Sequence, residues 1–380
     1  MLLPLSIFLR RFSGENAGPY RRRDPDIRRG DRREGDGMEI RKRSFDLITM
    51  GQILLRLSPP GNERMIRSDH FEKNVGGAEL NVAVGASLLG LHTGVISKLP
   101  SHDLGQYLKS TIRSYGVSDD YFIYDDRPDG RVGIYFYEYG AYPRKPKLIY
   151  DRRDPGFFSL RTEEIDERVY RDAGCFHISG ITLALCPELR RTATEVIRRF
   201  REAGALISFD VNFRGNLWSG EEARRCVEEL LPYIDIFFCS ESTARLTFQR
   251  EGSTREILRS FTEDFPVRLV FATERTVHSP KRHDFTSLAY SAEEKSFYEE
   301  EPYRDIEVVD RIGSGDAYIA GALYGLLSSG GNVRQAVIYG NASAAMKNTI
   351  PGDLLQSDRR ELDHVISDHS SSGFHSEMDR

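Results

Sequence analysis

From Phe45 onward, short apolar runs rich in β-branched and aromatic residues alternate with longer segments whose apolar positions recur every three or four residues. The first pattern predicts buried strands and the second predicts amphipathic helices. Read this way, Phe45–Met50 is a strand, Gly77–Leu89 a helix packed with Ala, Val and Leu, and Thr93–Ser97 a strand. Asp103–Tyr115 is a helix capped by Asp103. Strands follow at Cys175–Ser179, Leu206–Asp210, Ile234–Phe238 and Arg268–Ala272, with helices over Pro187–Ala203 and from Ala317 to about Ser328. This alternation predicts a mostly parallel sheet covered by helices on both faces. Ligands of such sheets gather at the carboxyl ends of the strands, where Asp210-Val211-Asn212 and Asp310 fall.

Two stretches break the alternation. Glu63–Asn74 and Tyr121–Asp151 carry strand-like runs with no helix between them, at Tyr121–Tyr124, Arg131–Glu138 and Lys147–Tyr150. They predict a small antiparallel sheet. Phe285–Tyr290 and Lys295–Glu299 predict a hairpin. After Asp353 one helix, about Arg359–Ile366, precedes a Ser-rich tail at 369–380 that is expected to be disordered.

Composition changes this picture only at the N terminus. Residues 1–43 hold 12 Lys+Arg and 7 Asp+Glu with little apolar periodicity after Phe12, the signature of a disordered extension. Met1–Leu9 is apolar but lacks a basic flank and a cleavage site, which argues against a signal peptide, and the acidic residues argue against a transit peptide. An over-extended reading frame with Met38 as the true start is the other reading; Met1 or Leu2 at the N terminus of the native protein would refute it. The chain as a whole is ordinary for a soluble globular protein, with 39% apolar and 29% charged residues. A net charge of −5 gives no reason to expect nucleic acid or an anionic membrane as partner. No apolar run approaches the roughly 20 residues that span a bilayer. Cys175, Cys186, Cys226 and Cys239 show no C-x-x-C spacing, which predicts reduced thiols and a cytoplasmic protein.

The most informative chemistry lies in Val308–Tyr318, where a β-branched run ends at Asp310 and a glycine turn carries a carboxylate into a helix. Gly313 and Gly315 permit positive φ and close approach of the backbone to a ligand. The amides of Gly313 to Asp316 at a helix N-terminus favour an anion such as phosphate. Asp316 in that turn is repelled by a bound phosphate unless it has work to do, and the obvious work is taking a proton from an attacking hydroxyl. The order of parts predicts phosphoryl transfer to an alcohol. No Lys follows Gly315, as a Walker A loop needs, and Tyr318 occupies the third glycine position of a dinucleotide fingerprint. The plainer alternative is a helix capped by Ser314 or Asp316.

Asp310-Arg311-Ile312-Gly313-Ser314-Gly315-Asp316-Ala317-Tyr318 resembles the C-terminal signature of the ribokinase-like (PfkB-type) sugar kinases, D-x-x-G-[AS]-G-D-x-[FY]. Gly76-Gly77-Ala78-Glu79-Leu80-Asn81 resembles their N-terminal glycine pair and asparagine. Gly51–Pro60, Thr93–Pro100, Asp210–Arg214 and Thr349–Asp353 extend the likeness; with Arg131–Tyr135 and Ile149–Arg152 they are similar to the 2-keto-3-deoxygluconate kinase branch, over about residues 45–355. The resemblance implies a three-layer α/β/α sandwich over 44–368, with a small antiparallel β lid whose strands lie within about 53–75 and 121–151. It implies ATP as phosphoryl donor with Mg²⁺, a sugar acid as acceptor, and a homodimer or higher homo-oligomer through the lid.

Site residues follow from the same resemblance. Asp316 is the implied base, in an anion hole made by Gly313, Ser314 and Gly315. Gly76, Gly77 and Asn81 would hold the sugar, with Tyr135 above it and Asp353 accepting from a hydroxyl. Arg152 and Arg214 would clamp the carboxylate, since the guanidinium fork matches that group. The nucleotide is expected across Thr273, Arg275, the 285–299 hairpin and the helix around Asn341, with its phosphates on Gly313 and Gly315. Asp310 would serve a monovalent cation or shape the turn, with a salt bridge to Arg311 as the plainer alternative. Three departures stand out: Ser240-Glu241-Ser242-Thr243 replaces the usual N-x-x-E, leaving Glu241 to stand in at Mg²⁺; Gln52 replaces an acidic residue; and Asp154-Pro155-Gly156 follows Arg152. A kinase for a neutral sugar or nucleoside, and a sugar-binding sensor that no longer transfers phosphate, are the alternatives.

Overall fold

The computed structural model describes residues 40–153 and 155–370. The strands are β1 (Phe45–Met50), β2 (Leu54–Ser58), β3 (Glu72–Gly76), β4 (Thr93–Pro100), β5 (Phe122–Asp125), β6 (Gly133–Glu138) and β7 (Lys147–Asp151). They continue with β8 (Ala173–Ser179), β9 (Leu206–Asp210), β10 (Ile236–Phe238), β11 (Leu269–Ser279), β12 (Arg282–Ser291), β13 (Ser296–Glu299) and β14 (Tyr303–Glu307). The helices are α1 (Ala78–Leu89), α2 (Asp103–Ser114), α3 (Arg168–Asp172), α4 (Gly180–Ala184), α5 (Pro187–Glu202) and α6 (Gly220–Leu230). After them come α7 (Glu241–Leu246), α8 (Thr254–Asp264), α9 (Ser314–Ser328), α10 (Val333–Asn348) and α11 (Arg359–Ser370).

The main sheet runs in the order β13-β12-β11-β10-β9-β8-β1-β4-β5, with β14 paired to β12. Its pairings from β11 through β5 are parallel, and the β11–β12–β13 end is antiparallel. Every residue of β8 is buried, as a strand covered on both faces requires. One covering helix shows how the sequence achieves this. In α5, Leu189, Ala193, Val196, Ile197 and Phe200 form a stripe of 0% exposure, while Pro187 opens the helix where its missing N–H costs nothing.

On the other face α9 packs against both α1 and α10. Small residues set that distance: a Cβ on Gly85 of α1 would lie 2.7 Å from the Ala320 Cβ of α9, and one on Gly321 would lie 2.3 Å from the Tyr339 carbonyl of α10. This close approach positions the first turns of α1 and α9 beside each other.

The small sheet has the order β3-β2-β6-β7. Its β2–β3 and β6–β7 pairs are antiparallel, but β2–β6 is parallel. The expectation that Tyr121–Tyr124 belongs here is corrected. That strand, β5, pairs in parallel with β4 at the edge of the main sheet, and Asp125 is buried against it. Neighbouring strand runs without a helix between them do not reveal which sheet each joins.

Other boundaries move as well. Val308–Asp310 is not a strand; β14 ends at Glu307, and the amides of Val309 and Asp310 both donate to the Asn348 carbonyl at the end of α10. The N-cap of α2 is His102, and Asp103 is its first helical residue. Arg43 belongs to the domain, donating to the carbonyls of Tyr170, Ala173 and Ala203. His369 and Ser370 extend α11, where His369 stacks on Tyr303 and bonds the Glu301 carbonyl. Residues 1–39 of the expected extension over 1–43 and residues 371–380 of the expected tail over 369–380 lie outside the described residues, as does Asp154. Among the described residues, no helix is long and apolar enough to cross a membrane.

Candidate active site

A cleft of about 560 Å³ opens over the carboxyl ends of β9, β10 and β11 and the N-terminus of α9. Asp316, Gly313, Ser314, Gly315, Asn81, Asp210, Tyr135, Arg152, Arg214, Asp353, Thr273 and Arg275 all line it. Most of the expected site residues therefore share one wall system.

At the turn, Gly313 is the left-handed N-cap of α9, with φ 81°. A Cβ there would sit 1.9 Å from the Asp353 carbonyl oxygen, so glycine is required by conformation and by space. Above Gly315 the space is open: a Cβ would meet nothing within 4 Å. The first amides of a helix lack partners inside it, so the turn presents donors to that space. Asp316 borders it, and Asn81 Nδ2 donates to Asp316 Oδ2 at 2.7 Å. Asn81 thus holds the carboxylate, while its own Oδ1 is buried without a partner. Burial raises the Asp316 pKa to about 6 against the opposing effects of the Asn81 bond and the Arg214 charge.

A second carboxylate joins it. Asp210, at the end of β9, is pushed up to about 7 by burial and then by the charge of Asp316. The Asn212 amide, on a residue with φ 39°, donates to Asp210 Oδ1 at 3.1 Å. The sequence marks this strand end without assigning Asp210 a role; the signal is an Asp followed two residues later by an Asn able to take a left-handed turn. Two acids in one cleft titrate as a pair.

Arg152 and Arg214 reach the same cleft from opposite elements and also border a side cavity of about 140 Å³ with Tyr150. The Arg152 guanidinium lies 4.4 Å from the centre of the Tyr150 ring, and its Nε is buried without a hydrogen bond. Burial lowers the Arg152 pKa, and the Arg214 charge adds to that fall. Arg214 is exposed, and Nη1 donates only to the Phe213 carbonyl. Neither arginine forms an ion pair among the described residues.

Behind the cleft lies a buried ionic network. Arg56 of β2, at 0% exposure, meets Asp353 at 2.8 Å and Asp310 at 2.7 Å, and its Nε donates to Ser58. Burial alone would depress the Arg56 pKa, but Asp353 and Asp310 overcome it and hold the guanidinium charged. Tyr135 donates to Asp353 and Tyr139 donates to Asp310. Asp310 also accepts from the amides of Ile312 and Gly352. Asp310 is therefore a structural acid paired with Arg56 rather than with Arg311, and its Oδ2 is taken up by Arg56, Tyr139 and the Gly352 amide.

Further expectations are corrected here. Gly76 does not line the cleft; it makes room for Asp353, whose Oδ2 would lie 2.1 Å from a Cβ at that position. Gly77 does line it and needs its φ of 138° because a Cβ would strike the Gln52 carbonyl at 2.3 Å. Asn341 is buried, accepts from Ser287 Oγ at 2.7 Å and faces β12 rather than the cleft. Glu241 pairs with Arg245 at 2.7 Å and accepts from Thr254 at 2.5 Å, so both oxygens are engaged. It borders a neighbouring cavity of about 630 Å³, shared with Ser240, Thr273 and Arg275. Ser240 caps α7 by accepting from the Thr243 amide, and both side chains line the main cleft as hydroxyls. Among the described residues, no group of three or more His, Cys, Asp or Glu could hold a metal ion by itself.

Comparison with known proteins accords with this geometry. A 2-dehydro-3-deoxygalactonokinase from Haloferax volcanii is 36% identical over 321 residues, covering 84% of this chain and 96% of that protein. A 5-dehydro-2-deoxygluconokinase from Shouchella clausii is 27% identical, covering 87% and 92%. The crystal structure of a 2-dehydro-3-deoxygluconokinase from Thermotoga maritima aligns with a TM-score of 0.79 at 31% identity, over 84% of this chain and 99% of that one. A PfkB family carbohydrate kinase from Listeria grayi aligns with a TM-score of 0.80 at 29% identity, over 85% and 99%. Residues 44–356 match the pfkB family carbohydrate kinases, and the chain belongs to that family.

Proposed function

We propose that the protein transfers the γ-phosphoryl group of ATP to the terminal hydroxyl of a keto-deoxy sugar acid such as 2-keto-3-deoxygluconate or its galacto epimer. The observation that carries this reading is the pair Arg152 and Arg214, two guanidinium groups without carboxylate partners facing one cleft with the Asp316 turn. A neutral sugar leaves both charges unmatched, whereas a carboxylate satisfies a guanidinium fork with two parallel hydrogen bonds. The names of three of these relatives, kinases of dehydro-deoxy sugar acids, support the same class.

In this reading Asp316 accepts the proton of the sugar hydroxyl as its oxygen bonds to the γ-phosphorus. The bond from that phosphorus to the bridging oxygen breaks, and ADP carries the electron pair away. With a pKa near 6, Asp316 is mostly ionised at neutral pH yet basic enough to take a proton in the transition state. Asn81 fixes its orientation. The amides of the Gly313–Asp316 turn offset the charge on the transferring group, the main task in a reaction of this kind. Thr273 and Arg275 face the nucleotide. The carboxylate of Asp210 and the hydroxyls of Ser240 and Thr243 would hold a Mg²⁺ ion that retains several waters, which would supply charge neutralisation for the triphosphate; Glu241, engaged with Arg245 and Thr254, would not.

ATP-to-ADP turnover with Mg²⁺ on 2-keto-3-deoxygluconate, 2-keto-3-deoxygalactonate, gluconate, fructose and ribose tests the proposal. Turnover confined to the keto-deoxy acids is expected. Preference for fructose or ribose would overturn the carboxylate assignment, and binding of the acids without turnover would show that the hydroxyls at Ser240 and Thr243 no longer support transfer.

A further inference from the structure

Lys347, in the last turn of α10, is fully buried at 0% exposure and has no part in the mechanism above. Lysine is almost never buried unless its charge is matched. Here Nζ donates to the carbonyl oxygens of Asp310 at 3.1 Å and Ile350 at 3.0 Å. The first carbonyl begins the segment that leads into the anion turn. The second begins the turn that ends at Asp353, whose own carbonyl packs against Gly313. One ammonium therefore ties together the two chain segments that shape the phosphate site, at a helix C-terminus where the dipole favours a cation. Burial lowers the Lys347 pKa to about 8, opposed by the charges of Asp310 and Asp353.

The family resemblance implies a monovalent cation at this place, and the residues do not fit one. Asp310 gives its carboxylate to Arg56, Tyr139 and two amides, and its carbonyl to Lys347. A potassium or sodium ion there would meet two fixed positive charges within the same cluster. We propose that the Lys347 ammonium is the built-in monovalent cation of this protein, holding the anion turn in register, so that phosphoryl transfer needs no dissociable potassium or sodium. Lys347 is then a positioning residue, acting through the Asp310–Asp316 segment. The proposal rests on the kinase reading, so its test includes a readout that needs no turnover.

That readout is a crystal of the full chain soaked in rubidium, with anomalous scattering as the signal. Wild-type protein is expected to show no rubidium at the Asp310 and Ile350 carbonyls, and Lys347→Ala is expected to bind it there. Rubidium at those carbonyls in the wild type would overturn the proposal, whatever the activity. In the kinase assay, replacing tetramethylammonium with potassium is expected to change wild-type turnover less than twofold; tenfold activation would overturn it. Lys347→Met is expected to lower kcat by about 100-fold with the KM for sugar little changed, as displacement of a catalytic turn by about 1 Å does. Lys347→Ala should regain part of that loss with potassium or ammonium, a rescue that a purely structural lysine would not show. Wild-type turnover in either variant would overturn the assignment. If neither variant folds, the two wild-type measurements decide the question alone.

Discussion

Replacing Asp316 by asparagine removes the proposed base while keeping its shape. The amide can present its oxygen to Asn81 Nδ2, so the 2.7 Å hydrogen bond survives and the first turns of α1 and α9 stay in register. What disappears is the ability to take a proton. General-base catalysis contributes on the order of 10²–10⁴-fold, so kcat should fall by about that factor while sugar-acid binding changes little. Stability should move the other way. The folded-state pKa of about 6 lies above the ordinary Asp value of about 3.9. The native state therefore holds its proton more tightly than the unfolded chain, and Asp316 costs stability as pH rises from about 4 through about 6. Full conversion of that difference gives an upper limit of ~3 kcal/mol; the side chain is partly open to the cleft, which reduces it to roughly 1–2 kcal/mol. Asp316→Asn should accordingly be more stable than wild type at pH 8, by about 2–6 °C in Tm, with the difference shrinking towards pH 4. The same acid limits wild-type kcat/KM, which should decline as pH falls through about 6–7 where Asp316 and Asp210 protonate together. The assays are coupled ADP release, calorimetric titration with the sugar acid, and thermal unfolding at several pH values. Turnover within tenfold of wild type would refute the base assignment, and a variant less stable at pH 8 would refute the electrostatic account.

Arg214→Ala and Arg152→Ala should each raise the KM for a keto-deoxy acid by roughly 10–100-fold, the loss expected for one charge-assisted contact of about 1.5–3 kcal/mol. The ratio of activity on the acid to that on its uncharged alcohol analogue is the direct check, and an unchanged ratio would sink the clamp. Arg56→Met leaves Asp310 and Asp353 buried without their cation and should destabilise the fold by about 3–5 kcal/mol, lowering Tm by roughly 10 °C. A thermal melt within 2 °C of wild type would show that the two acids do not depend on that pair.

The alternation of strand and helix was legible because it follows from short-range periodicity, and β1 and β9 have the boundaries their apolar runs predict. The anion turn was legible too, since the demand for glycine at 313 and the placing of Asp316 at a helix start are contained within a few consecutive residues. What sequence could not reveal was the choice of partner. Arg56 meets Asp353 across 297 residues, and nothing local distinguishes that arginine from an exposed one on a β-strand. The same holds for Lys347, whose helical neighbours reveal neither its complete burial nor the two carbonyls it meets. Asn341 and Glu241 looked available for ligands until tertiary packing gave each its own intramolecular partner. Local periodicity and turn chemistry decided the elements and the catalytic turn. Only the folded chain decided which charges face the cleft and which neutralise one another beneath it, because burying a charge is tolerable only where distant segments bring its counter-charge or hydrogen-bond partners with them.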